Sequence, residues 1–218
     1  MSHSINRTDR KKMKLLSFQT LIGVTLFLLL GQNFVHAQEK MDEKNHPVEQ
    51  WEVAFESGYA TKIKNNSPWN YAIAPTQIAF RSPYAFDLWR GDSGARLAVR
   101  NRMSLIGETI VRGPEDYYVG FSGAPSIELW SADQKMAAFY EIGGGAGLTN
   151  AKGVAGGQGQ NFAFNWYTQL GARFQINKKI AITASRYFVH HSNRGMTNPN
   201  PGIDVLGYNV GLVWQLGK

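Results

Sequence analysis

Residues 162–176 change chemical character at almost every step, and this alternation constrains the fold of the 218-residue chain more than any other feature. Phe162, Phe164, Trp166, Leu170, Ala172, Phe174 and Ile176 fall on one face, interrupted only by Thr168. Asn165, Tyr167, Gln169, Gly171, Arg173 and Gln175 fall on the other. Period-two alternation marks a β-strand whose two faces meet different surroundings. At about 3.3 Å per residue the run is much longer than a soluble-sheet strand of about five or six residues, and it suits a tilted strand that crosses a membrane.

The C-terminal segment repeats the pattern. Leu206, Tyr208, Val210, Leu212, Trp214 and Leu216 share one face, and Gly207, Asn209, Gly211 and Gln215 share the other. In a soluble barrel the apolar face would turn inward; in a membrane barrel it meets lipid and the polar face fills the lumen. Alternation alone does not choose between the two. Strand length, Trp and Tyr near strand ends, and the N-terminus favour the membrane.

That N-terminus has a basic head (Arg7, Arg10, Lys11, Lys12, Lys14), an apolar run over 21–30, and Val35-His36-Ala37 before Gln38. It reads as a secretory signal peptide, residues 1–37, cleaved after Ala37. Ten apolar residues fall short of the roughly 20 that a spanning helix needs. Without this segment the formal charge of +7 drops to +3, with 18 basic against 15 acidic residues, so the basic balance gives no support for a nucleic-acid partner. An exported chain with no cysteine must be stabilised by its core or by closure of a sheet.

Residues 38–50 are expected to be a flexible lead-in and 51–218 a single barrel domain. Eight strands are predicted, at 51–61, 71–80, 95–111, 117–130, 136–148, 161–176, 179–192 and 203–216, with 81–94 read as a connection. The fold class is therefore all-β, an eight-stranded antiparallel transmembrane β-barrel. Side chains fill the interior of so small a barrel, which argues against a transport pore. With a periplasmic N-terminus, the short links 131–134 and 177–178 face the periplasm. The glycine-rich link 151–160 and the link after Ser192 then face outward. The glycine-rich link is not a phosphate loop, because no Lys-Ser/Thr follows it and no helix begins there.

The mature chain keeps His46, His190 and His191. His190 and Ser192, two apart on a strand, point the same way and share the apolar face with Ile180, Ile182 and Phe188. Asp204 opens the last strand in register with Leu206 and Tyr208. A serine hydroxyl is a poor nucleophile until a base takes its proton, and a carboxylate fixes the tautomer of that base. Asn193, with backbone N–H groups near Gly195, is a candidate for oxyanion stabilisation. Polar groups on a lipid-facing wall are costly unless they act on a lipid, and an ester in an amphiphile is such a target. No metal is expected, because His190 and His191 point to opposite faces and no third ligand is evident. Asn-Arg-Gly and Asn-Pro-Asn-Pro-Gly are also good turn sequences, so the residues alone leave triad and decorated hairpin both open.

His190-x-Ser192-Asn193-x-Gly195, followed by Pro199-Asn200-x-Gly202-Ile203 and an acid at 204, resembles the signature of the lipid A 3-O-deacylase (PagL) family. The resemblance implies an eight-stranded outer-membrane barrel of a Gram-negative bacterium that removes an ester-linked (3-hydroxy)acyl chain from lipid A of lipopolysaccharide. It implies Ser192 as nucleophile, His190 as base, Asp204 as orienting acid, Asn193 and Gly195 as oxyanion donors, and no cofactor. The acid is Asp where a member of the family carries Glu, one methylene longer. Competing readings are a phospholipase or acyltransferase on membrane lipid, a non-enzymatic outer-membrane barrel, and a soluble ligand-binding barrel. A homodimer is compatible with any membrane-barrel reading.

Overall fold

A computed structural model describes residues 46–63, 68–84 and 86–217. The expected signal peptide and residues 38–45 of the lead-in lie outside them. The strands are β1 (Glu52–Lys62), β2 (Ala72–Arg81), β3 (Phe86–Arg90), β4 (Arg96–Arg112), β5 (Tyr117–Trp130), β6 (Met136–Thr149), β7 (Phe162–Gln175), β8 (Ile180–Ser192) and β9 (Ile203–Gln215). Each pairing is antiparallel. β1 pairs with β9 and β2 with β4, so eight long strands close into a barrel. Among the described residues no helix is long and apolar enough to cross a membrane, whereas strands of 10 to 17 residues match the expected spanning lengths.

The connection expected over 81–94 contains one more strand. β2 stops at Arg81, paired with Arg102, and leaves the first residues of β4 without a partner on that side. β3 fills the gap, pairing Phe86 with Val99 and Arg90 with Arg96 through an irregularity between Asp87 and Trp89. An unpaired edge of backbone N–H and C=O groups is thereby covered.

The alternation resolves as lipid-out, polar-in. Leu170 is 61% exposed while its neighbour Gln169 is 1% exposed, and Tyr208 is 65% exposed while Asn209 is 2% exposed. Apolar side chains thus cover the outer wall and polar ones fill the lumen. Within the lumen, Arg102 reaches Glu56 at 2.8 Å and Glu141 at 3.1 Å, and Arg81 bridges the same two carboxylates. Arg100 and Arg173 converge on Glu52 at 3.0 and 2.7 Å, and Arg100 also faces Glu128. Opposite charges stand next to each other because an unpaired ion in this interior would cost several kcal/mol.

Residues 46–50, expected within a flexible lead-in, are ordered and docked. Pro47–Glu49 form a 3-10 turn capped by His46, whose Nδ1 accepts from Val48 N–H at 3.2 Å. Val48 is fully buried beside Ala98, Trp130 and Ala137, and its carbonyl accepts from Tyr84 N–H at 2.7 Å. Arg96 holds Glu49 at 3.0 Å and Arg100 donates to the Gln50 carbonyl at 2.7 Å. The polar composition hid one apolar anchor, Val48. Burial, with the nearby Arg96, Arg90 and Arg100, lowers the His46 pKa to about 4.

Candidate active site

β8 and β9 place His190 and Asp204 directly opposite each other. His190 Nδ1 lies 2.6 Å from Asp204 Oδ1, with both side chains about one-quarter exposed on the outer wall. A carboxylate at Nδ1 holds the proton there and leaves Nε2 with the lone pair, the tautomer a general base requires. The shorter acid has no deficit of reach at this position, because cross-strand partners are already adjacent.

Ser192 ends β8, two residues beyond His190 and on the same face. Its parity is outward, yet it is only 9% exposed, at the start of the loop 193–202. That loop returns past the imidazole: the Cβ position at Gly202, where φ is +65°, lies 3.5 Å from His190 Cε1. Hydroxyl and imidazole share one face without a hydrogen bond between them, a contact that hydrolases often tighten only around substrate.

Asn193 and Gly195, expected as oxyanion donors, are instead occupied within their own loop. The Asn193 side-chain amide donates to the Thr197 carbonyl at 2.9 Å and hydroxyl at 3.0 Å, with the Pro199 carbonyl at 3.3 Å. Its Oδ1 accepts from Gly195 N–H at 2.8 Å, and its backbone N–H donates to Asn200 Oδ1 at 3.0 Å. Asn193 is fully buried. A buried amide spends its donors on the nearest carbonyls, because leaving them unmet costs about 1–3 kcal/mol. These two residues therefore shape the loop in this structure.

On the other flank of β8, Trp166 of β7 pairs with His190 and Phe164 pairs with Ser192. The Trp166 ring lies 4.8 Å from that of Phe188 and 6.1 Å from the His190 imidazole. Arg194 reaches over Phe164, 5.4 Å from the ring centre. Sequence reasoning put these aromatics on the outer face but not at the site. The short link 176–179 between β7 and β8 sets the register that places them there.

His191 points into the lumen, as its parity requires, with Nε2 2.8 Å from Glu108 and its ring 4.3 Å from that of Tyr118. The barrel wall separates it from His190. Among the described residues no group of three His, Cys, Asp or Glu side chains is arranged to hold a metal ion.

The model of the lipid A 3-O-deacylase (PagL) family matches residues 54–213. The crystal structure of the outer-membrane enzyme PagL is similar in fold, with a TM-score of 0.50 and 16% identity over 73% of this chain and 97% of that one. No curated protein matches the chain. A match that runs from the first barrel strand to the last, on a closed eight-stranded barrel, is decisive: this chain belongs to the lipid A 3-O-deacylase (PagL) family, ester hydrolases of the outer membrane that act on lipid A.

Proposed function

We propose that Ser192, His190 and Asp204 carry out the deacylation. Ser192 Oγ attacks the carbonyl of an ester-linked acyl chain while His190 Nε2 takes its proton. The imidazolium, held by Asp204, returns that proton to the sugar oxygen as the C–O bond breaks. Water, deprotonated by the same imidazole, then releases the fatty acid from acyl-Ser192. Asn193 and Gly195 contribute by holding the loop beside the nucleophile. Trp166, Phe164 and Phe188 offer an apolar wall to the departing chain.

The 2.6 Å contact between His190 and Asp204, on the lipid-facing wall at the end of the barrel with the longer links, carries this reading. The target lies in lipid, so a dyad opening into the lumen would be useless. Residues 1–37 are the export signal, and the intact mass of the outer-membrane form should begin at Gln38.

Mass spectrometry of lipid A from cells producing the wild type and Ser192→Ala tests the assignment. The wild type should yield lipid A lighter by one hydroxyacyl chain. Ser192→Ala should fold, keep its heat-modifiable migration and leave lipid A unchanged. Equal lipid A profiles from the two would remove Ser192 from the mechanism, and fatty acid released from phospholipid but not from lipid A would point to a phospholipase.

A further inference from the structure

Glu115 sits in the β4–β5 loop, yet it is fully buried. Its Oε2 accepts from Tyr71 Oη–H at 2.8 Å and its Oε1 accepts from the Gln158 backbone N–H at 3.2 Å. Tyr71 immediately precedes β2, and Gln158 belongs to the glycine-rich link between β6 and β7. One carboxylate therefore ties three of the links at this end of the barrel. The approach is close by construction: Gly113, at φ +148°, lies where any Cβ would press on the Tyr71 ring. A second tie runs alongside, since Asp116 N–H donates to Asn150 Oδ1 at 2.8 Å and Asn150 Nδ2 donates to Asp116 Oδ2 at 3.0 Å.

The tie continues to the fourth link. Gly159, next to Gln158, donates its N–H to the Pro199 carbonyl at 2.7 Å. A side chain at Gly159 would collide with the Asn198 carbonyl, so the two links are in backbone contact. The Pro199 carbonyl also receives the Asn193 amide, and Asn193 follows Ser192 directly. Hydrogen bonds to a buried carboxylate are stronger than neutral ones, and losing the acceptor leaves two buried donors unmet. Burial and the neighbouring Glu115 push the Tyr71 phenol up in pKa, so it remains a donor.

We propose that Glu115 is a positioning residue for the deacylase site: by clamping Tyr71 and Gln158 it fixes Gly159 against Pro199, and so sets the loop 193–202 over Ser192 and His190. Its effect on turnover rests on the reading of Ser192 given above. Its effect on the loop does not. Glutamine preserves the clamp, because its amide oxygen still accepts from Gln158 N–H and its NH2 can donate to Tyr71 Oη. Alanine removes it.

The test uses the mature protein in detergent micelles, comparing wild type, Glu115→Ala, Glu115→Gln, Tyr71→Phe and Ser192→Ala. Amide hydrogen exchange and lipid A deacylation are measured together. Glu115→Ala should speed exchange over 157–160 and 193–200 about tenfold, with strand amides unchanged, and should lower kcat about tenfold with little change in KM. Glu115→Gln should stay close to wild type, and Tyr71→Phe, which loses one of the two bonds, should fall between. Unchanged exchange over 193–200 in Glu115→Ala, or equal losses in the Ala and Gln variants, would overturn the clamp. Faster loop exchange with undiminished kcat would overturn the positioning role. If Glu115→Ala does not fold, an unchanged loop in Tyr71→Phe overturns the clamp and a loosened loop supports it. A loosened loop in Glu115→Ala alongside full activity in Ser192→Ala would uphold the clamp while refuting the assignment of the nucleophile.

Discussion

His190 and Asp204 are direct partners in the β8–β9 ladder, and this register brings the carboxylate to 2.6 Å from Nδ1. An aspartate spans the gap because the two backbones already bring the Cβ atoms to about 5 Å. Asp204→Asn keeps size and shape but no longer favours the proton on Nδ1 and cannot stabilise the imidazolium; its kcat should fall by about 10²–10⁴-fold with folding intact. Asp204→Glu must crowd its extra methylene against the ring, and should lose about tenfold. Steady-state kinetics on purified lipid A would check both. A more active Glu variant would show that the register leaves slack.

Asn193 spends its side chain on Thr197, Pro199 and Gly195. Asn193→Ala should therefore speed exchange of the Gly195 amide and lower kcat together, by about tenfold or more. A native exchange pattern combined with a large fall in kcat would assign Asn193 to the oxyanion after all.

His46 gives the docked segment 46–50, an N-terminal clip on the barrel, a pH dependence. Its pKa is lowered from 6.5 to about 4, chiefly by burial and then by Arg96. Above pH 6.5 the ring is neutral whether docked or free, and the clip is at full strength. As the pH falls from 6.5 towards 4 the undocked segment takes up a proton that the docked one resists, so docking weakens through that window. Protonation also removes the Nδ1 lone pair that accepts from Val48 N–H. Proteolysis near residues 46–50 should rise between pH 6.5 and 4 in the wild type. His46→Asn, which caps without titrating, should show no such rise.

Arg186 stands midway along β8 among Ile182, Ala184 and Phe188 on the outer face, with its guanidinium 4.4 Å from the ring centre of Tyr208. An arginine facing lipid near mid-bilayer costs about 2–4 kcal/mol, and one cation–π contact returns about 1 kcal/mol. Arg186→Leu should therefore be about 2 kcal/mol more stable in urea titrations of the barrel in lipid vesicles. A destabilised variant would mean that the guanidinium has a partner within the membrane.

The sequence by itself determined the barrel walls. Leu170 against Gln169 and Tyr208 against Asn209 are placed by the two-residue repeat of an extended backbone, a local property that needs no partner strand. For the same reason His190 and Ser192 had to share a face and His191 had to point away. Tertiary structure decided what stands across from what. The register that seats Asp204 and Trp166 on either side of His190, the β3 strand that covers the edge of β4 and the docking of Val48 depend on how strands and segments pair, and the capture of the Asn193 amide depends on the fold of its own loop. Those contacts exist only once the backbones have paired and the loop has folded, because that fixes which groups become neighbours and which buried donors find an acceptor.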